Sequence, residues 1–101
     1  MFIYTHKNRY NMKRIDFQHF MLSVGIASND TVMVDVREEL ANLIYNNVSG
    51  IAALETARKI YKSEGETEFD EREMDVITKT IEGLGKASFI DSFRNVVDNK
   101  L

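Results

Sequence analysis

The side chains with the most obvious chemical capacity are the carboxylates of residues 64–75, EGETEFDEREMD, where Glu64, Glu66, Glu68, Asp70, Glu71, Glu73 and Asp75 follow one another closely. An EF-hand calcium loop needs oxygen ligands at alternate positions and a glycine at the sixth. With Gly65 sixth, Ile60 falls first and Lys62 third, and neither can supply a side-chain oxygen. The run therefore reads as the solvated start of a helix, where acids in the first turn complement the positive end of the helix dipole. Zinc would require both histidines, His6 and His19, with carboxylates to complete the set, because there is no cysteine. His6 lies in an N-terminal extension, so no zinc site is expected. Ser23, Ser28, Ser49, Ser63, Ser88 and Ser92 lack the surroundings of a nucleophile elbow. Gly83 and Gly85 follow a predicted helix instead of preceding one, so they form no phosphate loop. No pair of carboxylates is assigned to one apolar cleft. The sequence predicts no catalytic residue, no cofactor and no metal, and the protein is expected not to be an enzyme.

A second kind of chemistry, phosphate binding, is offered by Lys7, Arg9, Tyr10, Lys13 and Arg14, which interleave cationic and stacking side chains. The chain has 13 Lys and Arg against 16 Asp and Glu, for a net charge of −3. Four of those cations fall in the first 14 residues, which contain no acid, so the rest of the chain is strongly acidic. A helix-turn-helix can be drawn over residues 35–61. Its second helix would present Ile51, Ala52 and Ala53 where base-reading side chains belong, with Arg58, Lys59 and Lys62 only near its end. An acidic body also repels phosphate. Nucleic-acid binding is thus the alternative expectation, behind protein contact.

The elements that must position these residues can be read from periodicity. Ile15 and Phe17 alternate with Asp16 and Gln18; Phe20, Leu22, Val24 and Ile26 then alternate in the opposite phase. The phase change near His19 predicts a bulge or two short strands. Turn residues at 27–30 and the alternation of Val32, Val34 and Val36 complete a β-hairpin with one apolar face. A lone hairpin is marginal in water, so helices must cover it. Asp35 followed by Glu38 has the spacing of a capping box, opening a helix over about 36–48 with Val36, Leu40, Leu43, Ile44 and Val48 inward. Gly50 and Ser49 break the chain, and Ser49 is placed to cap a second helix from Ile51 to about Lys62, with Leu54, Ala57 and Tyr61 inward. A brief strand at 67–69 is expected to pair with the hairpin edge. Asp70 with Glu73 opens a third helix with Met74, Ile77, Thr78, Ile81 and Leu84 inward, closed by Gly83 and Gly85. Ser88 with Asp91 opens the last, with Phe89, Ile90, Phe93, Val96 and Val97 inward.

The expected fold is α+β: an N-terminal β-hairpin packed against about four short α-helices, forming a single domain over residues 12–101. Residues 1–11 are expected to be an extension, or the product of a mis-called start with Met12 as the natural first residue. An apolar fraction of 44% and a charged fraction of 29% are those of a globular chain. No apolar run reaches the length of a membrane span, so a membrane partner is not expected. With no cysteine and no secretory signal, the expected location is the cytoplasm.

MKRIDF, VMVDVREELANLIYNN, ARKIYKSEGETEF and EMDVITK resemble segments of small uncharacterised proteins found in bacterial phages and prophages. In those, a hairpin leads into a helix of the form DV-x-x-ELAN-x-IY, followed by AR-x-IY-x-x-GE. The likeness covers roughly residues 12–82, departs at the extension 1–11, and carries over no functional residue. It implies a phage-encoded accessory or assembly component without assigned chemistry. The functional expectation is accordingly a small interaction protein that contacts a protein partner or itself, as a homo-oligomer. Tyr45, Tyr61, Phe69 and Phe93 are the aromatic candidates for its interface, with core packing as the competing role of each.

Overall fold

The computed structural model describes residues 12–27 and 29–98. The chain runs β1 (Lys13–Ile15), β2 (Phe20–Ser23), β3 (Thr31–Val34), α1 (Arg37–Asn47), α2 (Ile51–Lys62), β4 (Thr67–Phe69), α3 (Glu71–Leu84) and α4 (Ala87–Asp98). The α+β architecture and the hairpin against four helices are as the periodicity predicts. The strands form two separate antiparallel pairs. β2 and β3 make the hairpin, with Phe20 opposite Val34, Met21 opposite Met33 and Leu22 opposite Val32. β4 pairs with β1 and not with the hairpin edge, Lys13 standing opposite Phe69 and Arg14 opposite Glu68.

The phase change at His19 resolves into two short strands, and Asp16 is the reason. Its Oδ1 accepts from the backbone N–H groups of Gln18 at 3.0 Å and His19 at 2.9 Å, an Asx turn that ends β1. His19 Nδ1 closes on the same carboxylate at 3.0 Å. The turn drives Phe17 wholly into the core, where its ring lies 6.1 Å from Phe20 and 5.7 Å from Phe69 between centroids. Phe20 meets Phe89 of α4 edge-on at 5.3 Å. These offset and edge-to-face contacts are the favoured arrangements for aromatic pairs. Around them pack Ile15, Leu40, Ile44, Ile60, Ile77, Ile81 and Phe93, in one continuous core.

α2 is rotated from its expected phase. Ala53, Thr56, Ala57 and Ile60 face the core, while Tyr61 and Ile51 are exposed and Leu54 is only partly covered. Two alanines on this face let α1 approach closely, and a tyrosine there would hold it off. The buried hydroxyls that interrupt the apolar stripes return their hydrogen bonds one turn back: Thr56 to the Ala52 carbonyl, Thr80 to Val76 and Ser92 to Ser88, each at 2.7 Å. Among the described residues no buried side-chain polar atom lacks a partner. In α3 the buried positions are Ile77, Thr80 and Ile81, while Leu84 is exposed.

Of the expected helix starts, only Asp70 forms a capping box, its carboxylate accepting from the Glu73 N–H and Glu73 Oε1 accepting from the Asp70 N–H, both at 2.9 Å. α1 begins at Arg37, after Val36, and no side chain caps it. Asp35 instead accepts from Arg37, at its N–H (3.1 Å), its Nε (3.0 Å) and its Nη2 (2.8 Å). An arginine two residues on offers a two-pronged donor that outcompetes the backbone N–H of Glu38. Before α2, Gly50 occupies the cap position at φ +105°, and Ser49 does not cap. α4 starts at Ala87, so Ser88 lies inside it and its carbonyl serves Ser92. Gly83 likewise lies within α3, which ends at Gly85.

Candidate interaction surface

Two of the carboxylates of residues 64–75 serve the scaffold directly. Asp70 and Glu73 cap α3, and Glu73 also receives Lys59 Nζ at 2.9 Å. That ammonium lies 5.0 Å from the centre of the Phe69 ring, within reach of its negative face. Among the described residues no group of three or more His, Asp or Glu is placed to hold a metal ion. Asp35 has the most perturbed carboxyl, held down to about 2, first by the side-chain hydrogen bonds of Arg37 and then by the Arg37 N–H. Burial raises the Asp16 carboxyl, but the hydrogen bonds from His19 and Gln18 outweigh it and lower it overall. Each of these acids is committed to a neighbour two or three residues away, which is a local structural role.

Lys7, Arg9 and Tyr10 lie outside the described residues. Arg14 is exposed on β1, directly across from Glu68. Lys13 is half-buried in a shallow depression shared with Glu71, Arg72 and Asp75. The two described members of the basic group thus stand near carboxylates, which weaken the positive potential they present.

The four aromatic candidates separate cleanly. Phe69 and Phe93 are 0% and 2% exposed, core residues that no partner can reach on the folded chain. This corrects their assignment to an interface. β4 turns the Phe69 ring inward onto Phe17, and Phe93 sits on the covered face of α4. Tyr45 and Tyr61 are 64% and 58% exposed, and they flank a single groove of about 480 Å³ between α1 and α2. Glu38, Asn42, Arg58 and Lys62 give that groove a mixed polar rim.

A second set of exposed apolar residues lies on the hairpin, and none of them is aromatic. Met21 and Met33 face each other across β2 and β3 on the side away from the core, and both are exposed. Val24, Ile26 and Val32 are exposed as well, Ile26 fully, with Val32 opposite Leu22 on the face away from the two methionines. Beneath the hairpin, a groove of about 440 Å³ is lined by Leu22, Leu43, Leu84 and Phe89. The alternation that marks a covered face also marks its opposite. FMLS and TVMV place a methionine at the outward position of each strand, where a polar residue belongs if the face meets only water.

The other edge of the hairpin is held against α4 at Ser23. The Ser23 N–H points outward from β2 and donates to Ser92 Oγ of α4 at 2.8 Å. Among the described residues, β3 pairs with β2 alone, which leaves its other edge without a strand partner. The Val24 N–H donates to the Asp30 carbonyl at 3.3 Å. That fixes the alternation of the ladder: residues 22 and 32 exchange hydrogen bonds, while Met21 and Met33 form a pair that does not. The main-chain polar groups of Thr31 and Met33 therefore point away from β2, along the open edge. No helix among the described residues is long and apolar enough to cross a membrane. No protein-family model, curated protein or solved structure matches the chain.

Proposed function

We propose that the protein is a small non-enzymatic interaction module, an assembly accessory of a phage or other mobile element, working in the cytoplasm through protein–protein contact that includes contact with itself. The hairpin carries this reading: five of the exposed large apolar residues, Met21, Val24, Ile26, Val32 and Met33, belong to its two strands and the turn between them. Exposed apolar side chains concentrated on one element in this way mark contact sites. The mobile-element origin rests on the resemblance of residues 12–82 to small phage and prophage proteins. Neighbouring capsid or tail genes support an assembly role, and neighbouring replication or repressor genes support nucleic-acid binding in its place. Light scattering over a wide concentration range tests self-contact directly, and a mass that stays at one chain removes it. Retention on heparin that weakens with salt would transfer the function to Lys7, Arg9, Tyr10, Lys13 and Arg14. Passage through heparin at low salt is expected.

A further inference from the structure

We infer that the occupant of the open β3 edge is the β3 strand of a second copy, paired antiparallel about a two-fold axis at Val32. This rests on the reading of the protein as a self-associating module and names the surface and register. The segment TVMV has no charge and no proline, and β3 has no bulge in its pairing with β2, so although short it lacks the charge, proline and bulge by which edge strands often resist pairing. Its outward main-chain groups are at Thr31 and Met33, two residues apart. A two-fold axis at Val32 therefore sets Thr31 of each copy against Met33 of the other, and roughly four main-chain hydrogen bonds close between them. The two Val32 side chains, each 46% exposed in the single chain, then meet across the axis. The same register places Val34 opposite Asp30 and Asp35 opposite Asn29, so no like charges face each other. The contact is isologous, as a closed dimer requires. It converts two marginal two-stranded hairpins into one four-stranded sheet. Met21 and Met33 line its outer face, and Val32 joins the apolar underside. A contact this small gives a weak dimer, formed in the micromolar to millimolar range.

A charge swap on the axis tests this. The wild type is expected to pass from monomer to dimer in sedimentation as concentration rises. Val32→Lys alone and Val32→Glu alone should each remain monomeric at concentrations where the wild type is dimeric, because each sets like charges face to face. An equimolar mixture of the two should recover the dimer as a heterodimer. Circular dichroism matching the wild type certifies the fold. A readout on the wild type needs no variant: amide exchange at Thr31 and Met33 should slow as concentration rises, while exchange in α2 stays constant. Dimerisation that persists unchanged in both single variants, or edge amides indifferent to concentration in a dimer, overturns the β3 pairing and leaves self-association on another surface. A wild type that stays monomeric to millimolar concentration overturns both the pairing and self-contact, leaving only contact with a different protein.

Discussion

Arg37 Nη1 donates to the main-chain carbonyl of Ser63 at 2.6 Å, joining the first residue of α1 to the residue that ends α2. Asp35 holds the same guanidinium from the other side through Nε and Nη2. Ser63 is itself buried, with its hydroxyl on the Ile60 carbonyl at 2.7 Å, so the arginine serves the exposed end of a helix whose last turn is otherwise closed. One side chain thereby fixes the antiparallel α1–α2 pair at its open end, opposite the connection through Gly50. Arg37→Met should lower the unfolding midpoint and accelerate amide exchange over the last turn of α2. Arg37→Lys should fare little better, because one ammonium cannot reproduce a fork that grips a carboxylate and a carbonyl together. Exchange rates equal to the wild type in both variants would refute the clamp.

The caps predict unequal penalties at positions that look alike in the sequence. Asp70→Ala removes the side-chain acceptor of a formed capping box, leaving the Glu73 N–H uncapped, and should cost about 1 kcal/mol. Ser49→Ala and Ser88→Ala remove no cap and should stay within about 0.5 kcal/mol of the wild type in urea unfolding. Equal losses at all three would mean that the helix starts lie elsewhere.

The pattern of what the sequence made legible follows from this. Periodicity located every helix, because an apolar stripe at 3.6-residue spacing has few other uses. It misplaced the phase of α2 because Tyr61 and Leu54 are more apolar by type than Ala53 and Thr56, and only the closeness of α1 decides between them. Cap spacing identifies the helix start where the acid has no competing donor, at Asp70, and fails at Asp35, where Arg37 supplies one. The pairing of β4 with β1 is a long-range event that residues 67–69 do not encode. On the surface, aromatic type marks Tyr45 and Tyr61 but not Met21 and Met33. Their outward position depends on strand register, which a sequence leaves open until the strands are paired.

Phe69 and Tyr61 should behave as opposites under truncation. Phe69→Ala empties a fully buried site between Phe17 and the Lys59 ammonium and should cost about 3–5 kcal/mol. For a chain of this size that is a large part of the total stability. Tyr61→Ala and Tyr45→Ala lie on the rim of an open groove and should change stability by no more than about 0.5 kcal/mol. Thermal unfolding of the three variants checks this, and a destabilised Tyr61→Ala would show that the groove is closed in solution.

Gly50 and Gly83 should respond to alanine in opposite directions. At Gly50 a Cβ would meet nothing within 4 Å, yet φ is +105°, a conformation that side-chain-bearing residues avoid. Gly50→Ala should therefore cost about 1–3 kcal/mol through the backbone alone, loosening the turn between α1 and α2. Gly83 sits inside the last turn of α3 with open space around it. Gly83→Ala should stabilise by about 0.5 kcal/mol, because alanine loses less backbone freedom on entering a helix. Urea midpoints for the pair decide the matter, and a shared sign would contradict one of the two local geometries.

Acid should act on the chain partly through Asp35. Its carboxyl falls to about 2 when folded, chiefly because Arg37 donates to the ionised form, whereas an aspartate in an unfolded chain titrates near ~3.9. A group depressed in this way adds stability that is complete above its unfolded value and disappears as pH drops toward its folded one. The contribution is therefore constant at neutral pH and is lost between about 4 and about 2. Asp16, lowered by His19 and Gln18, acts in the same direction. Asp35→Asn should have a lower urea midpoint than the wild type at pH 6 and a shallower decline across that acid window, so that the two curves converge near pH 2. Parallel curves would mean that Asp35 titrates alike in the folded and unfolded chains, and that the contact with Arg37 is not kept in solution.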